Sequence, residues 1–320
     1  MKPLIKNILK QFHHHRKKDD DIYIFGLGRS GTTLLAEILN TDRRSKLCSE
    51  PFALHSENKY VLLKYFESRF LNDRYLDINP QEFNQIIKYL RDLSEGKTWN
   101  SFYWSDFPGK DHSFRTEFTI FKLHKLCYLV EEIMQNLQGD GLYLIRHPLS
   151  HSLSRIRNGW DTYNQQYLGS KKIKKEITEQ AAEKAKQVMQ TGNKLDKFVL
   201  SWCLENYVFL KNEKEKSLPE NLHMIAYEKL VSEPEQSIKD MCKKLKIPFR
   251  QRMLEKIDWP SHGVVHSTDD TKARIKQGEN KQLLERWRQK ISTTEEESAF
   301  SILDAFGIDL YRKSENLPVR

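Results

Sequence analysis

Residues 22–39 read IYIFGLGRSGTTLLAEIL. The run Ile22-Tyr23-Ile24-Phe25 is short, apolar and β-rich, and it stops at Gly26; from Thr32 to Leu39 the apolar positions fall at helical spacing. The stretch therefore predicts a strand, a glycine loop and a helix. Gly26, Gly28 and Gly31 allow tight turns, and the free N–H groups at the start of the following helix would face an anion, so the loop suits phosphate. Measured against the triphosphate pattern GxxxxGK[ST], Gly26 and Gly31 keep their places, but Thr32 stands where lysine belongs and the cation comes earlier, at Arg29. That departure argues against a kinase or ATPase.

A second unit of the same kind follows at Leu142-Tyr143-Leu144-Ile145-Arg146-His147-Pro148, where proline suits the first turn of a helix through Leu149, Leu153 and Ile156. The strand ends in a cation, Arg146, rather than in an acid placed to hold magnesium. Two strand-to-helix turns imply a parallel sheet. Further strands are predicted at 46–48, 119–122 and 224–227, and amphipathic helices at about 125–137, 195–211, 234–245, 281–290 and 295–306. The fold class is α/β, a P-loop-like parallel β-sheet flanked by helices. Residues 1–21 form a basic arm, 22–312 one domain with insertions at about 55–115 and 160–195, and 313–320 a tail. The stretch 171–186, with six lysines against three glutamates, predicts a lysine-rich surface helix.

The 320 residues suffice for a large core, and 38% hydrophobic with 30% charged residues describes neither a disordered nor a membrane-embedded chain. The net charge of +9 favours polyanionic partners. Cys48, Cys127, Cys203 and Cys242 lie far apart with no CxxC, which suggests neither a zinc site nor a disulfide framework and fits a reducing compartment. His262 and His266 flank Gly263 and two valines, a poor helix for a metal pair, and His13-His14-His15 reads as solvated or tag-like, so no metal is expected. No run approaches the roughly 18 apolar residues of a membrane span. Leu4, Ile5, Ile8, Leu9 and Phe12 would allow at most a weak peripheral membrane contact through residues 1–18.

The loop Arg29-Ser30-Gly31-Thr32-Thr33 resembles the 5′-phosphosulfate loop of the sulfotransferase superfamily that uses 3′-phosphoadenosine 5′-phosphosulfate (PAPS). The resemblance implies that backbone N–H groups and the Ser30, Thr32 and Thr33 hydroxyls hold the 5′-phosphate, while Arg29 neutralises charge on the bridging oxygen. IRHPLSHSLSR resembles the 3′-phosphate motif, in which an arginine is followed eight residues later by a serine, here Arg146 and Ser154. His147 stands where the family usually has aspartate. Asn158 stands where tyrosylprotein sulfotransferases carry a further arginine, so Arg155 or Arg157 would have to compensate. IAYEKLV (225–231) resembles the YExL element, and VVHSTDDTKARIKQGENKQLLERW (264–287) resembles the tyrosylprotein class's STD, IK and pre-tryptophan cation pattern, with longer spacing. These place Tyr227 near the adenine, Ser267 and Thr268 along the donor, and Lys276 and Arg286 as closing cations.

By the same resemblance the base is Glu50, in Cys48-Ser49-Glu50-Pro51, as in carbohydrate and tyrosylprotein sulfotransferases, or His124, in the lysine-x-histidine Lys122-Leu123-His124 of cytosolic small-molecule enzymes. The neighbouring motifs favour Glu50, and Lys122 serves either scheme as a cation facing the sulfuryl group. The implied activity is metal-independent, PAPS-dependent sulfuryl transfer to a hydroxyl or amine, with helical insertions covering the acceptor side and no nucleic acid as partner. The alternatives are a P-loop kinase or phosphotransferase and a non-catalytic binder of nucleotides or sulfated glycans. The acceptor is expected to be a glycan, lipid-linked or small molecule and the location cytoplasmic; Trp99, Phe102, Tyr103, Trp104, Trp160, Tyr163 and Tyr167 suit either stacking on a sugar or phenol or packing of the insertions.

Overall fold

The computed structural model describes residues 14–54, 60–67, 76–98, 115–261, 273–275 and 277–320. All five predicted strands form: β1 (Asp21–Phe25), β2 (Ser45–Ser49), β3 (Phe118–Leu123), β4 (Gly139–Ile145) and β5 (Leu222–Ala226). They make one parallel sheet in the order β2-β3-β1-β4-β5. The central strand β1 is apolar from Ile22 to Phe25 because both its faces are covered. Tyr23 and Phe25 enter one core with Phe121, Tyr143 and Trp202, while Ile22 and Ile24 enter the other with Leu35, Ile38, Leu142 and Leu144. Side chains alternate across a strand, so a two-sided core calls for apolar residues at successive positions, here 22–25.

The helices, in chain order, are α1 (Thr32–Leu39), α2 (Pro80–Ser94), α3 (Val130–Asn136), α4 (Pro148–Arg157), α5 (Asn164–Gly169), α6 (Lys171–Glu176), α7 (Glu179–Thr191), α8 (Lys194–Lys214), α9 (Tyr227–Ser232), α10 (Pro234–Lys244), α11 (Gln251–Glu255), α12 (Asn280–Glu285) and α13 (Thr293–Ala305). Three begin with reciprocal capping boxes, Asn79/Glu82, Asn193/Asp196 and Ser292/Glu295. The single lysine-rich helix expected over 171–186 is two helices. Ile177 is extended, and the Thr178 hydroxyl accepts from Ala181 N to start α7 afresh. Tyr227, expected to end a strand, instead opens α9.

His15 departs from the solvated reading: its ring reaches Thr116 Oγ1 at 2.9 Å and the Ser94 carbonyl at 2.6 Å. Asp21, at the border of the arm, is buried and accepts from Thr119 N at 2.7 Å and Lys17 Nζ at 2.9 Å. The four cysteines are buried, and among the described residues none forms a disulfide. Among the described residues no helix is long and apolar enough to cross a membrane, and no cluster of His, Cys, Asp or Glu could hold a metal ion.

Every strand points its carboxyl end toward the same edge of the sheet. The glycine loop follows β1, Glu50 follows β2, His124 follows β3, Arg146 follows β4 and Tyr227 follows β5. The chain steps from β1 to both sides, which leaves a crevice at these ends, the usual ligand position of an open parallel sheet.

Candidate active site

The loop between β1 and α1 turns on three backbone features. Ser30 N donates to the Leu27 carbonyl at 3.0 Å. Gly31 has φ +99° and caps α1; a Cβ there would lie 2.4 Å from Tyr227 Cδ2. Arg29 has φ +79°, a left-handed conformation that a residue with a side chain rarely takes. Gly28 carries the Trp160 ring, 2.5 Å from where a Cβ would stand.

The Arg29 side chain donates from Nε to Ser154 Oγ at 3.2 Å. Burial lowers its pKa, and the charges of Arg146 and Arg157 lower it further. Arg157 is lowered in turn by burial, then by Arg146 and Arg286. Arg146 and Arg157 thus act on Arg29, which lies against the Ser154 hydroxyl, and Arg146 and Arg286 act on Arg157. A gathering of like charges of this kind suits an anion. Arg146 donates from Nη1 to the Arg29 carbonyl at 2.9 Å and lies over the Tyr227 ring, 4.7 Å from its centroid, while its buried Nε has no partner.

The backbone of Arg146 is fixed from two sides. Trp202 Nε1 on α8 donates to its carbonyl at 3.0 Å, and the Glu228 carboxylate accepts from His147 N, across the same peptide bond, at 2.8 Å. The other Glu228 oxygen takes the Tyr311 hydroxyl at 2.8 Å. The glutamate of the YExL element therefore positions the β4–α4 turn, a role the sequence reading did not give it. His147 is buried against Trp287, ring centroids 4.6 Å apart, and burial pushes its pKa down to about 3, so it packs as a neutral ring.

The two arginines considered as substitutes at Asn158 separate. Arg155 is buried and committed to Glu205 at 2.6 Å and to the Asp161 carbonyl at 2.6 Å, so it holds α4 to α8. Arg157 is the one whose charge is felt by Arg29.

Lys122, Glu50 and His124 meet on the other side of the loop. Lys122 Nζ donates to Thr33 Oγ1 at 2.9 Å and to Glu50 Oε1 at 2.8 Å. Glu50 Oε1 also lies 3.0 Å from His124 Nε2, which is 3.4 Å from Thr32 Oγ1. Burial alone would raise the Glu50 carboxyl, but His124 and then Lys122 outweigh it and hold it well below the usual carboxylate range. Glu50 itself has φ +53°, the kind of backbone strain that surrounding contacts must maintain. Its N–H donates to the Lys122 carbonyl at 2.9 Å, and the next carbonyl, Pro51 O, accepts from the Tyr89 hydroxyl.

His124 Nδ1 faces the Gly26 carbonyl at 2.9 Å. A carbonyl oxygen only accepts, so Nδ1 carries a hydrogen and Nε2 is left to exchange a proton with Glu50. The two residues weighed as rival bases share one hydrogen bond.

The sequence-predicted residues thus gather in two neighbouring groups. Arg29, Arg146, Ser154, Tyr227 and Arg286 belong to the arginine side; Thr32, Thr33, Glu50, Lys122 and His124 belong to the other, with the backbone of Ser30 and Gly31 between them. Ser267, Thr268 and Lys276 lie outside the described residues, as do His262, His266, Trp99, Phe102, Tyr103 and Trp104. Sequence reasoning passed over His151, whose Nε2 lies 3.0 Å from the Gly28 carbonyl. Its spacing was the available signal, since it stands one helical turn before Ser154.

Among solved structures, the sulfotransferase domain of the curacin biosynthetic pathway is similar at 18% identity and TM-score 0.49, over 92% of this chain and 100% of that one. The sulfotransferase domain of the Synechococcus PCC 7002 olefin synthase is similar at 14% identity and TM-score 0.48, over 93% and 98%. Mouse sulfotransferase SULT7A1, complexed with PAP, is similar at 14% and 0.42, over 94% and 88%. No curated protein matches the sequence. The profile of the sulfotransferase domain family matches residues 19–297, a span holding both arginine turns and the Lys122, Glu50 and His124 cluster. With nearly the whole sheet and its loops inside that match, the chain belongs to the sulfotransferase domain family and is a sulfotransferase.

Proposed function

We propose that the donor is PAPS, gripped at both phosphorylated ends, and that the acceptor proton passes to the paired Glu50 and His124. The observation that carries this reading is the convergence of Arg29, Arg146 and Arg157 beside Ser154 next to a glycine loop, with the buried Arg146 Nε lacking a partner. A donor with phosphate at 3′ and at 5′ needs two anion sites set apart by a nucleoside. On this reading the arginine side takes the 3′-phosphate, with Arg286 and Lys276 closing the pocket. The loop N–H groups and the Ser30, Thr32 and Thr33 hydroxyls take the 5′-phosphate.

The acceptor oxygen attacks sulfur as the bond from sulfur to the bridging phosphate oxygen breaks. Lys122, beside Thr33, supplies the cation for the leaving oxygen, while Arg29, for which the resemblance implied that role, lies against Ser154 on the arginine side. The acceptor's proton goes to the Glu50–His124 pair, whose outer nitrogen is anchored on Gly26. The family resemblance assigns Tyr227, Ser267 and Thr268 to the donor's nucleoside. No metal ion is required, because cations of the chain occupy the positions around the transferring group.

Residues 22–312 act as one domain in this reading, and the acceptor is a glycan, a lipid-linked or a small molecule in the cytoplasm. The exposed Lys171, Lys174 and Lys175 on α6 favour an anionic acceptor. A thermal-shift comparison tests the donor: adenosine 3′,5′-bisphosphate raises the melting temperature and ADP with magnesium does not. Stabilisation by ADP with magnesium alone sinks the reading in favour of a phosphotransferase.

A further inference from the structure

The peptide units on either side of Arg29 are both held from outside the loop. His151 Nε2 donates to the Gly28 carbonyl at 3.0 Å, and Arg146 Nη1 donates to the Arg29 carbonyl at 2.9 Å. Between those two anchored carbonyls Arg29 keeps φ at +79°. A left-handed residue with a side chain persists only where its surroundings over-determine it. The direction of the Gly28 carbonyl also fixes the Arg29 N–H, since the two point opposite ways across a planar peptide.

His151 is suited to this task. It is fully buried on α4, and its Nδ1 has no partner. Burial first, and then Arg155 and Arg146, push its pKa well below the ordinary histidine value, so the ring is neutral and its single hydrogen is on Nε2, facing the carbonyl. Ser154, three residues on, stands on the same helical face and accepts from Arg29 Nε at 3.2 Å. One face of α4 therefore holds the Gly28 backbone and receives the Arg29 side chain. Across the loop, the Trp160 ring closes on Gly28, leaving no room for a Cβ.

We infer that His151 is a positioning residue for donor binding: its hydrogen bond to the Gly28 carbonyl sets the left-handed turn at Arg29 that carries the guanidinium to Ser154. The inference rests on the donor reading above for its ligand, but the turn itself is set without ligand. Loss of this bond frees Arg29 to relax to an ordinary conformation and leave Ser154.

The test compares His151→Gln, whose amide N–H can stand in for Nε2–H, with His151→Leu, which keeps bulk and loses the donor. Calorimetric titration with adenosine 3′,5′-bisphosphate is expected to show His151→Gln within about threefold of the parent and His151→Leu weaker by about tenfold or more. Amide hydrogen exchange at residues 27–31, measured without ligand, is expected to quicken in His151→Leu and not in His151→Gln. If His151→Leu fails to fold, His151→Asn, whose shorter side chain cannot reach Gly28, takes its place in the same comparison. Equal losses in the Gln and Leu variants would reduce His151 to packing and overturn the inference, as would parent-like binding and exchange in His151→Leu. If the parent itself ignores the bisphosphate, the donor reading fails, and the exchange comparison still decides the role of His151.

Discussion

Arg146 donates to the backbone carbonyl of Arg29 at 2.9 Å, so the turn after β4 and the turn after β1 are in direct contact. Two strand-end turns that lie 117 positions apart in the chain are thereby one structure. The same guanidinium rests on the Tyr227 ring from β5's exit, which ties a third strand end to them.

Arg146→Lys is therefore expected to fail although it preserves charge. Lysine offers a point charge without the planar fork that reaches the Arg29 carbonyl while stacking on Tyr227. Hydrogen bonds to charged groups contribute about 1.5–3 kcal/mol, so affinity for adenosine 3′,5′-bisphosphate should fall ~10- to 100-fold. Calorimetric titration checks it, and unchanged affinity would remove Arg146 from the donor site.

The glycines of the loop predict a contrast. Gly31→Ala meets the Tyr227 ring and also forces φ +99° on an L-residue, at about 1–2 kcal/mol for the backbone alone. Gly28→Ala meets only the side chain of Trp160 and carries no positive φ. Donor binding lost in Gly28→Ala should then return in Gly28→Ala with Trp160→Ala. Removing the Tyr227 ring should not rescue Gly31→Ala, because the strain remains and Arg146 loses its platform. Bisphosphate titration of the four variants decides the matter.

What could be read from the sequence was local. The strand β1, its glycine loop and the Arg146–Ser154 spacing are contiguous runs whose composition fixes their conformation, and each forms where expected. Contacts made across strands were not legible. Nothing in the neighbourhood of Arg155 or Arg157 says that one pairs with Glu205 on α8 while the other faces Arg29; that division depends on which side of α4 meets which helix. Glu50 and His124 looked like alternatives because they come from different motifs, yet β2 and β3 are adjacent and put them 3.0 Å apart. The break at Ile177–Thr178 was missed because a lysine-rich composition masks one capping threonine.

Behind the loop, Glu37 on α1 and Lys256 form a buried ion pair at 2.7 Å, with both side chains at most 2% exposed. Burial lowers the Lys256 pKa, against which Glu37 acts. Removing one partner leaves a buried charge unpaired, so Glu37→Gln should cost about 3–5 kcal/mol in urea unfolding. Glu37→Leu combined with Lys256→Met should recover most of that loss, since an apolar pair of similar volume carries no desolvation penalty. Equal instability of the single and double variants would show that the pair's geometry, rather than its charge, holds α1.

The Glu50–His124 pair makes the most direct prediction about chemistry. If the two act as one acid–base unit, Glu50→Gln and His124→Asn should each lower kcat by about 10²–10⁴ and leave bisphosphate affinity near the parent's. The double variant should then be no worse than the poorer single variant, because residues sharing one proton are not additive. Two independent bases would instead give multiplied losses. A pH measurement separates the electrostatic role of Glu50 from its catalytic one. Its carboxyl is held below the ordinary value in the folded protein, so its contribution to stability is complete above about pH 4.3, the unfolded value, and is lost as pH falls through the folded value. The difference in melting temperature between the parent and Glu50→Gln, followed downward from about pH 5, should accordingly narrow below about pH 4. A gap that stays constant through acid would mean that Lys122 and His124 do not hold the Glu50 charge in solution.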